Sequence, residues 1–198
     1  MWVRWFAPDL HLGHHRILEF EPARPGPDVD AMNDALIDNW NDVVAPTDDV
    51  WVLGDVAMGT IAGTLPLVGR LHGRLVLVPG NHDRCFAGHP NWQAWTDRYL
   101  AAGFTEVRHG PLELALGDQT VTVSHFPYTG ESRPGRPDRY AQHRPTDRGQ
   151  VLLHGHVHSA WRVNGRQINV GVDAWDHRPV AETVVAEDRK SARHGHHG

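Results

Sequence analysis

Short clusters of aspartate, histidine and asparagine recur five times along this chain of 198 residues, and each cluster follows an apolar run. Carboxylate and amide oxygens combined with imidazole nitrogens suit Mn²⁺, Fe or Zn²⁺. These residue types therefore predict a site for a pair of divalent metals that one carboxylate can bridge. The candidate residues are Asp9 and His11 in DLH, Asp55 in GD, Asn81 and His82 in GNHD, His125 in SHF, and His156 and His158 in GHVH.

The spacing within and between the clusters supports this chemistry. In DLH and in HVH, the i, i+2 spacing places both polar side chains on one side of an extended backbone. One such pair has little weight, because two nearby histidines usually bind no metal. Five clusters that all follow predicted strands carry more weight, because ligands of α/β sheets gather outside the carboxyl ends of strands. We therefore expect the side chains to converge in one crevice.

Alternating strands and helices are expected to position the first three clusters. Apolar runs at residues 2–7, 50–53 and 75–78 are typical of buried strands. Between the first two, Met32, Leu36, Trp40 and Val44 recur every four residues, which predicts an amphipathic helix over 30–44. The segment PNWQAWTDRYLAAG predicts a further helix that ends near Gly103.

The second half of the chain is predicted to be mostly strand. Its strand-like segments are LELAL, QTVTVSH, QVLLHGH, WRVNGRQINV and ETVVAED, and Asn164-Gly165 is a strong hairpin signal. The change of pattern predicts an α/β fold in which two sheets pack together with helices outside. We expect one domain over residues 1–188 and a flexible, histidine-rich tail over 189–198.

Composition limits the class of protein. A hydrophobic content of 40% fits one domain with a real core, and the net charge of −5 argues against a general nucleic-acid coat. Cys85 is the only cysteine, which favours a reducing compartment. No signal-peptide core and no run long enough to span a bilayer is found, so a soluble, cytoplasmic protein is expected.

An unusually long loop over residues 126–149 carries five arginines. It is either a solvated connector or a lid over the site, since loops of this length inside compact domains often bind ligands. Arg133 and Arg139 in this loop are candidate substrate contacts. His14, in HLGHH next to the first cluster, is a third candidate.

Taken in order, the five clusters resemble the signature of the calcineurin-like metallophosphoesterases: D-x-H, G-D, G-N-H-[DE], a lone His and G-H-x-H. The resemblance implies a four-layer α/β/β/α sandwich of the metallo-dependent phosphatase type around two divalent ions, with Mn²⁺ expected and Fe, Zn²⁺ or Ni²⁺ as alternatives. It implies a first ion bound by Asp9, His11, Asp55 and His158. It implies a second ion bound by Asp55, Asn81, His125 and His156. His82 corresponds to the histidine that contacts the phosphate and protonates the leaving oxygen.

The segment GDVAMGT departs from the protein-phosphatase branch, because it lacks that branch's further aspartate and arginine. The chain looks more like a small bacterial or phage branch, which implies hydrolysis of small phosphodiesters such as cyclic nucleotides by a hydroxide held between the ions. A phosphomonoesterase or nuclease on the same centre is one alternative, and a non-catalytic metal-binding scaffold is another. We expect a small phosphoester or nucleotide as substrate, with neither a membrane nor a stable nucleic-acid complex as partner, and leave the oligomeric state open.

Overall fold

The computed structural model describes residues 2–133 and 135–187, so the predicted tail over 189–198 lies outside the described residues. The α-helices before residue 182 are α1 (Ile17–Phe20), α2 (Val29–Asn41), α3 (Ile61–Thr64) and α4 (Trp92–Ala102), and residues 182–187 are also helical. The strands are β1 (Arg4–Phe6), β2 (Asp49–Val52), β3 (Arg74–Leu77), β4 (Phe104–Val107), β5 (Leu112–Leu116), β6 (Gln119–Val123), β7 (Leu152–His154), β8 (Val163–Asn164), β9 (Gln167–Asn169) and β10 (Val180–Ala181). Short 3₁₀ helices span Leu65–Arg70, Ala141–His143 and Val172–Ala174.

The first sheet has the strand order β10-β1-β2-β3-β4. Its strands β1 to β4 are parallel, and β10 joins β1 in the antiparallel direction. The carboxyl ends of β1, β2 and β3 therefore lie at one edge of the sheet, and the first three clusters follow these ends. The alternation of strands and helices predicted for this half is confirmed.

Helix α2 covers one face of the first sheet. Its amino end is capped by Asp28, whose side chain accepts a hydrogen bond from the backbone N–H of Ala31. The predicted four-residue repeat of Met32, Leu36 and Trp40 is buried against the sheet in the larger hydrophobic cluster of the molecule. The apolar stripe of this helix therefore holds the loop that follows β1 against the scaffold.

The second sheet has the order β5-β6-β7-β9-β8, and β6, β7 and β9 run parallel to one another. Its inner face packs on the first sheet through a second hydrophobic cluster that includes Leu53, Val78, Val123 and Leu153. This arrangement brings the ends of β6 and β7 to the same crevice as those of β1, β2 and β3. The two-sheet α/β architecture predicted from the sequence is confirmed.

Two details of the second half test individual predictions. The Asn164-Gly165 hairpin is confirmed, with β8 and β9 antiparallel and Gly165 at a φ of 57°. The prediction of a strand over ETVVAED is wrong, because residues 182–187 of this segment are helical and the strand Val180–Ala181 ends just before it. Short apolar runs fit both periods, and here Val185 reaches the inter-sheet core from a helix.

The outer face of the second sheet is covered by the long loop. Gln150, at the end of this loop, accepts hydrogen bonds from Thr122 of β6 and from the hydroxyl of Tyr128, at 3.0 and 3.3 Å. The backbone N–H of Thr129 donates to the side chain of Gln167 of β9. The layer outside this sheet is thus a loop with one 3₁₀ turn, packed on the strands rather than extended into solvent. Across the described ranges, no helix combines the length and apolar character needed to cross a membrane.

Candidate metal centre

All seven predicted metal ligands lie within a few residues of a strand end and face one crevice between the sheets. Six of them are buried, and only His158 is partly exposed. Three side chains form a first group, in which ligand atoms of Asp9, His11 and His158 lie within 4.8 Å of one another. A second group is formed in the same way by Asp9, Asp55 and His125. The expected convergence is therefore seen.

Asp55 occupies the middle of the centre. Its Oδ2 lies 3.6 Å from Nε2 of His11 and 3.5 Å from Nε2 of His125. The amide oxygen of Asn81 lies 3.2 Å from Nε2 of His125. His156 belongs to neither three-residue group, although its ring lies 5.2 Å from that of His125. The assignment of each residue to one of two ions stays a prediction.

Left-handed backbone at five of these residues aims their side chains into the crevice. Asp9, His11, Asp55, His156 and His158 have φ values of 64°, 51°, 56°, 72° and 51°. Non-glycine residues adopt such angles rarely, at a cost of about 1–3 kcal/mol each, and do so mainly at functional sites. These five residues lie in three of the five motifs, DLH, GD and GHVH, and their concentration there supports a functional site in the crevice.

Two motif glycines allow the turns to touch. A Cβ on Gly80 would overlap Oδ1 of Asp55, and a Cβ on Gly54 would overlap the backbone of Gly80. The glycines of GD and GNHD are therefore required by this close approach.

Asp83, the last residue of GNHD, connects the turn at Asp55 to the turn at Gly80. Its carboxylate accepts backbone N–H bonds from Asp55 at 2.8 Å, Val56 at 3.0 Å and Gly80 at 2.8 Å. Burial, together with the charge of Asp55, raises the pKa of Asp83 to about 7. Asp83 therefore supports the ligands and does not face the crevice.

Three of the histidines have a partner at Nδ1, which fixes the orientation of the ring. Nδ1 of His125 donates to the carbonyl of Leu53 at 2.8 Å, and Nδ1 of His158 donates to Asp173 at 2.8 Å. Nδ1 of His11 contacts the sulfur of Met58 at 3.2 Å. Nε2 of His11 is buried without a hydrogen-bond partner, which is rare for a buried polar atom. A divalent cation satisfies such a nitrogen, so the residues present fit the expected metals.

The protonation states also fit a cation. Burial raises the pKa of Asp9 to about 8 and lowers the pKa of His125 to about 4. Burial alone would raise the pKa of Asp55, but the charges of His125 and His82 outweigh it and lower that pKa. Burial would lower the pKa of His158, but the hydrogen bond to Asp173 and the charge of Asp9 outweigh it and raise that pKa to about 9, so this imidazole carries a proton that a bound cation would replace. The same cation would hold the closely spaced carboxyl groups in the ionised form.

Arg24 and Asp173 support the centre and were not found from the sequence. The guanidinium of Arg24 forms two bonds to the carboxylate of Asp173, at 2.7 and 2.9 Å, and donates to the carbonyl of Asp9 at 2.6 Å. Burial would raise the pKa of Asp173, but His158 and Arg24 lower it to about 2. The available signals were an arginine inside the proline-rich segment EPARPGPD and an aspartate in NVGVDAW, and neither forms a local pattern.

Glu131 is a third residue that the sequence did not reveal, and it lies in the long loop. Its Oε2 is 3.3 Å from Nε2 of His156. Its carboxylate also pairs with Arg139 at 2.9 Å and with Arg144 at 2.6 Å. Arg139, predicted to contact substrate, therefore has a carboxylate partner within its own loop. The one available signal was that Glu131 is the single glutamate among the arginines of residues 126–149.

The mouth of the crevice carries the remaining predicted residues. His82 is 43% exposed at its side chain, and its backbone N–H donates to Oδ1 of Asp55 at 2.9 Å. The ring of His14 lies 5.5 Å from that of His11 and 6.3 Å from that of Phe20. The guanidinium of Arg133 lies over Phe20, 5.1 Å from the ring centroid. The long loop therefore meets helix α1 beside the opening.

Comparison with known proteins agrees with the order of the motifs. A family model described as calcineurin-like phosphoesterase matches residues 5–160, which include all five clusters. The gene 66 protein of Mycobacterium phage L5 is 35% identical over 189 residues, covering 86% of each chain. That of Mycobacterium phage D29 is 37% identical over 186 residues, covering 86% of this chain and 88% of the phage protein.

More distant matches extend beyond phages. An uncharacterized protein of Methanocaldococcus jannaschii is 37% identical over 82 residues, or 40% of this chain and 46% of that protein. The crystal structure of a protein of unknown function from Aquifex aeolicus matches with a TM-score of 0.68 and 21% identity, over 94% of this chain and 99% of the other. This structure is similar in fold.

Proposed function

Because this chain belongs to the calcineurin-like phosphoesterase family, we propose that it is a phosphodiesterase acting on small diesters such as cyclic nucleotides. Membership of the family gives the coarser activity, metal-dependent hydrolysis of phosphoesters. The preference for diesters, Mn²⁺ as the working ion and the roles of individual residues are our proposal.

One observation carries the proposal most directly, namely the position of Asp55 between two histidines. Its Oδ2 is within 3.6 Å of Nε2 of both His11 and His125, which point at it from separate sheets. A carboxylate in this position suits a bridge between two cations. Asp9, His11 and His158 would complete one ion site on one side of Asp55, and Asn81, His125 and His156 would complete the other.

Two such ions, when bound, neutralise phosphoryl oxygens and lower the pKa of a bound water from about 16 to about 7. The protein itself must then supply a proton to the leaving oxygen. His82 suits this role because its side chain is 43% exposed at the mouth while its backbone is tied to Asp55. Histidine also has a pKa near neutrality, as a general acid needs.

Substrate contacts are proposed for three residues. His14 lies near His11 and has a buried Nδ1 without a hydrogen-bond partner, and burial lowers its pKa to about 4. A neutral imidazole there can donate a hydrogen bond to a phosphoryl oxygen. Arg133, above Phe20, and Arg139, half exposed, would attract an anionic substrate to the opening. A binding site for a small anion is consistent with a chain whose net charge is −5.

Two alternatives rest on the same centre. A monoesterase or a nuclease needs the same ions, and the acidic net charge weighs against a nuclease that binds long nucleic acid. A non-catalytic scaffold needs the ligands but no exposed histidine beside Asp55. The position of His82 therefore favours an enzyme over a scaffold.

The test is turnover of bis-p-nitrophenyl phosphate with Mn²⁺, Ni²⁺, Zn²⁺ or Fe²⁺ supplied. We expect metal-dependent activity that is abolished by Asp55→Asn and retained by Asp97→Asn, which changes an exposed aspartate on α4. Absence of activity with every ion would contradict the proposal and favour the scaffold. A panel of 2′,3′-cyclic, 3′,5′-cyclic, linear diester and monoester substrates then separates the diesterase from the other two enzymes.

A further inference from the structure

Glu131 is a buried carboxylate that the five family motifs do not account for. Its side chain is 1% exposed, although it lies in a surface loop, and it touches His156 through Oε2. An unneutralised carboxylate is expensive to bury, and here Arg139 and Arg144 supply the neutralising charge. Three charged or polar partners around one buried loop carboxylate indicate a specific structural role for Glu131.

Glu131 contacts a different ring nitrogen of His156 from the one that has a partner in the other three histidines. His11, His125 and His158 have a partner at Nδ1, which leaves Nε2 for the centre. In His156 the nitrogen next to a carboxylate is Nε2, which lies 3.3 Å from Oε2 of Glu131 without completing a hydrogen bond in this structure. A histidine that binds a metal through one nitrogen normally donates its other N–H to a carboxylate or carbonyl. By this rule, closing the contact with Glu131 into a hydrogen bond would leave Nδ1 as the ligand atom of His156.

We propose that Glu131 is a positioning residue for the second ion, which it serves by holding Nε2–H of His156 so that Nδ1 faces Asp55, Asn81 and His125. The inference rests on the proposed two-ion centre and adds to it a part of the long loop. It differs from a purely structural role for Glu131, because it requires one ion site to depend on this carboxylate and the other to be independent of it.

The same carboxylate organises the loop. Arg144 bonds to Glu131 and also donates to the carbonyl oxygens of Pro127, Gly130 and Arg139, at 3.3, 3.1 and 2.8 Å. The backbone N–H of Arg139 donates to Glu131 at 2.8 Å. Residues 127–130 and 139–144 thus surround Glu131. Occupation of the second ion site, by fixing His156, therefore stabilises the folded form of this loop.

The first test is Mn²⁺ titration by calorimetry of the wild type, Glu131→Gln and Asp138→Asn. Asp138 is the matched control, because it accepts a hydrogen bond from Gly130 in the same loop and lies 4.0 Å from Arg144. We expect Glu131→Gln to weaken one Mn²⁺ site by about 10–100-fold and to leave the other unchanged. Asp138→Asn should match the wild type. Metal bound by the histidine-rich tail is common to all three proteins and cancels in the comparison.

The second test is limited proteolysis with trypsin. Arg133, Arg136 and Arg144 each precede proline and resist trypsin, so the loop offers cleavage only after Arg139 and Arg148. We expect Mn²⁺ to slow cleavage after Arg139 in the wild type and in Asp138→Asn. In Glu131→Gln, cleavage after Arg139 should be faster and insensitive to Mn²⁺.

Two outcomes would overturn the inference while leaving the proposed function intact. One is a wild type with two Mn²⁺ sites that Glu131→Gln leaves unchanged. The other is equal weakening of both sites by a folded Glu131→Gln, which would mark a general structural role. Should Glu131→Gln fail to fold, Glu131→Asp decides, since it keeps the charge and withdraws the carboxylate by one methylene. A wild type that neither binds Mn²⁺ nor hydrolyses bis-p-nitrophenyl phosphate would instead overturn the proposed function.

Discussion

His158 and His156 stand two residues apart in one motif, yet the molecule supports them by different means. We call His158, Asp173 and Arg24 the core flank, and His156, Glu131 and Arg144 the loop flank. Both flanks place a histidine against a carboxylate that an arginine neutralises. In the core flank the arginine also binds the backbone of the first ligand, Asp9. In the loop flank it binds only the loop itself.

The difference concerns how far each half of the centre is preformed. The carboxylate and arginine of the core flank come from segments 149 residues apart and are buried to 2% and 0% exposure. This flank therefore exists wherever the two sheets are packed. In the loop flank, Glu131 also pairs with the half-exposed Arg139, and the flank depends on one loop keeping its shape. One ion site held by the packed sheets, beside one that depends on a loop, suits an enzyme that must admit substrate on the loop side.

The largest expected effect tests a residue that belongs to neither flank. His82→Ala should leave both ion sites in place and slow cleavage of an alkyl phosphodiester by about 10²–10⁴-fold, the usual contribution of a general acid. Cleavage of a p-nitrophenyl ester should change little, because its leaving group needs no proton. Comparison of kcat on the two substrates checks this, and equal losses would remove His82 from the acid role.

The core flank can be broken by Arg24→Met. This change removes both guanidinium bonds from the buried carboxylate of Asp173 and leaves it with His158 as its hydrogen-bond donor. We therefore expect the free energy of unfolding to fall by up to about 3–5 kcal/mol. Urea denaturation measures the loss. Arg178→Met is the control, since Arg178 pairs with the exposed Asp42 at 3.3 Å and should change stability by less than about 1 kcal/mol. Similar small losses in both variants would show that the core flank is not a structural support.

A smaller loss of stability is expected from a change at Asp83, which supports the turns at Asp55 and Gly80. Asp83→Asn keeps the shape of the side chain but turns an NH₂ group toward backbone N–H donors that need an acceptor. Loss of one such buried hydrogen bond should lower the free energy of unfolding by about 1–3 kcal/mol. Thermal denaturation with and without Mn²⁺ measures it. Because Asp83 holds the turn of Asp55, we expect both ion sites to weaken together, unlike the single-site effect of Glu131→Gln.

The smallest effect is expected from Arg139→Gln. Its side chain is half exposed, and Glu131 keeps Arg144 as a partner, so stability should change by about 1 kcal/mol or less. Steady-state kinetics then sharpens the role of the loop flank. A higher KM with unchanged kcat would support Arg139 as a substrate contact, and an unchanged KM would restrict it to holding Glu131.

The sequence predicted the parts of the centre that have a local pattern. Asp9, Asp55 and Asn81 could be located because each follows a recognisable strand. Helix α2 could be located because its buried residues recur at a helical spacing. In these cases the residues that decide the structure are neighbours along the chain.

Glu131, Asp173 and Arg24 could not be found in this way, because their roles arise only when distant segments meet. Arg24 reaches Asp173 from 149 residues away, and nothing near either residue predicts the pair. From the sequence, Glu131 would be expected to form an ordinary surface ion pair with a loop arginine. Its burial becomes evident only when the loop is folded over the sheet. The sequence thus located the candidate ligands, which the structure brings together, but not the groups that hold them.

The left-handed turns at five of the proposed metal-binding positions have a consequence for how this chain can change over time. At about 1–3 kcal/mol each, they are a burden that folding alone gives no reason to keep. Ions that bind only the folded chain would offset this strain, because they raise the free energy of unfolding, and tighter binding raises it more. A descendant that stopped using metal would gain stability from relaxing these turns. On the proposed metal use, retaining these turns is therefore linked to retaining the ions, whatever the substrate.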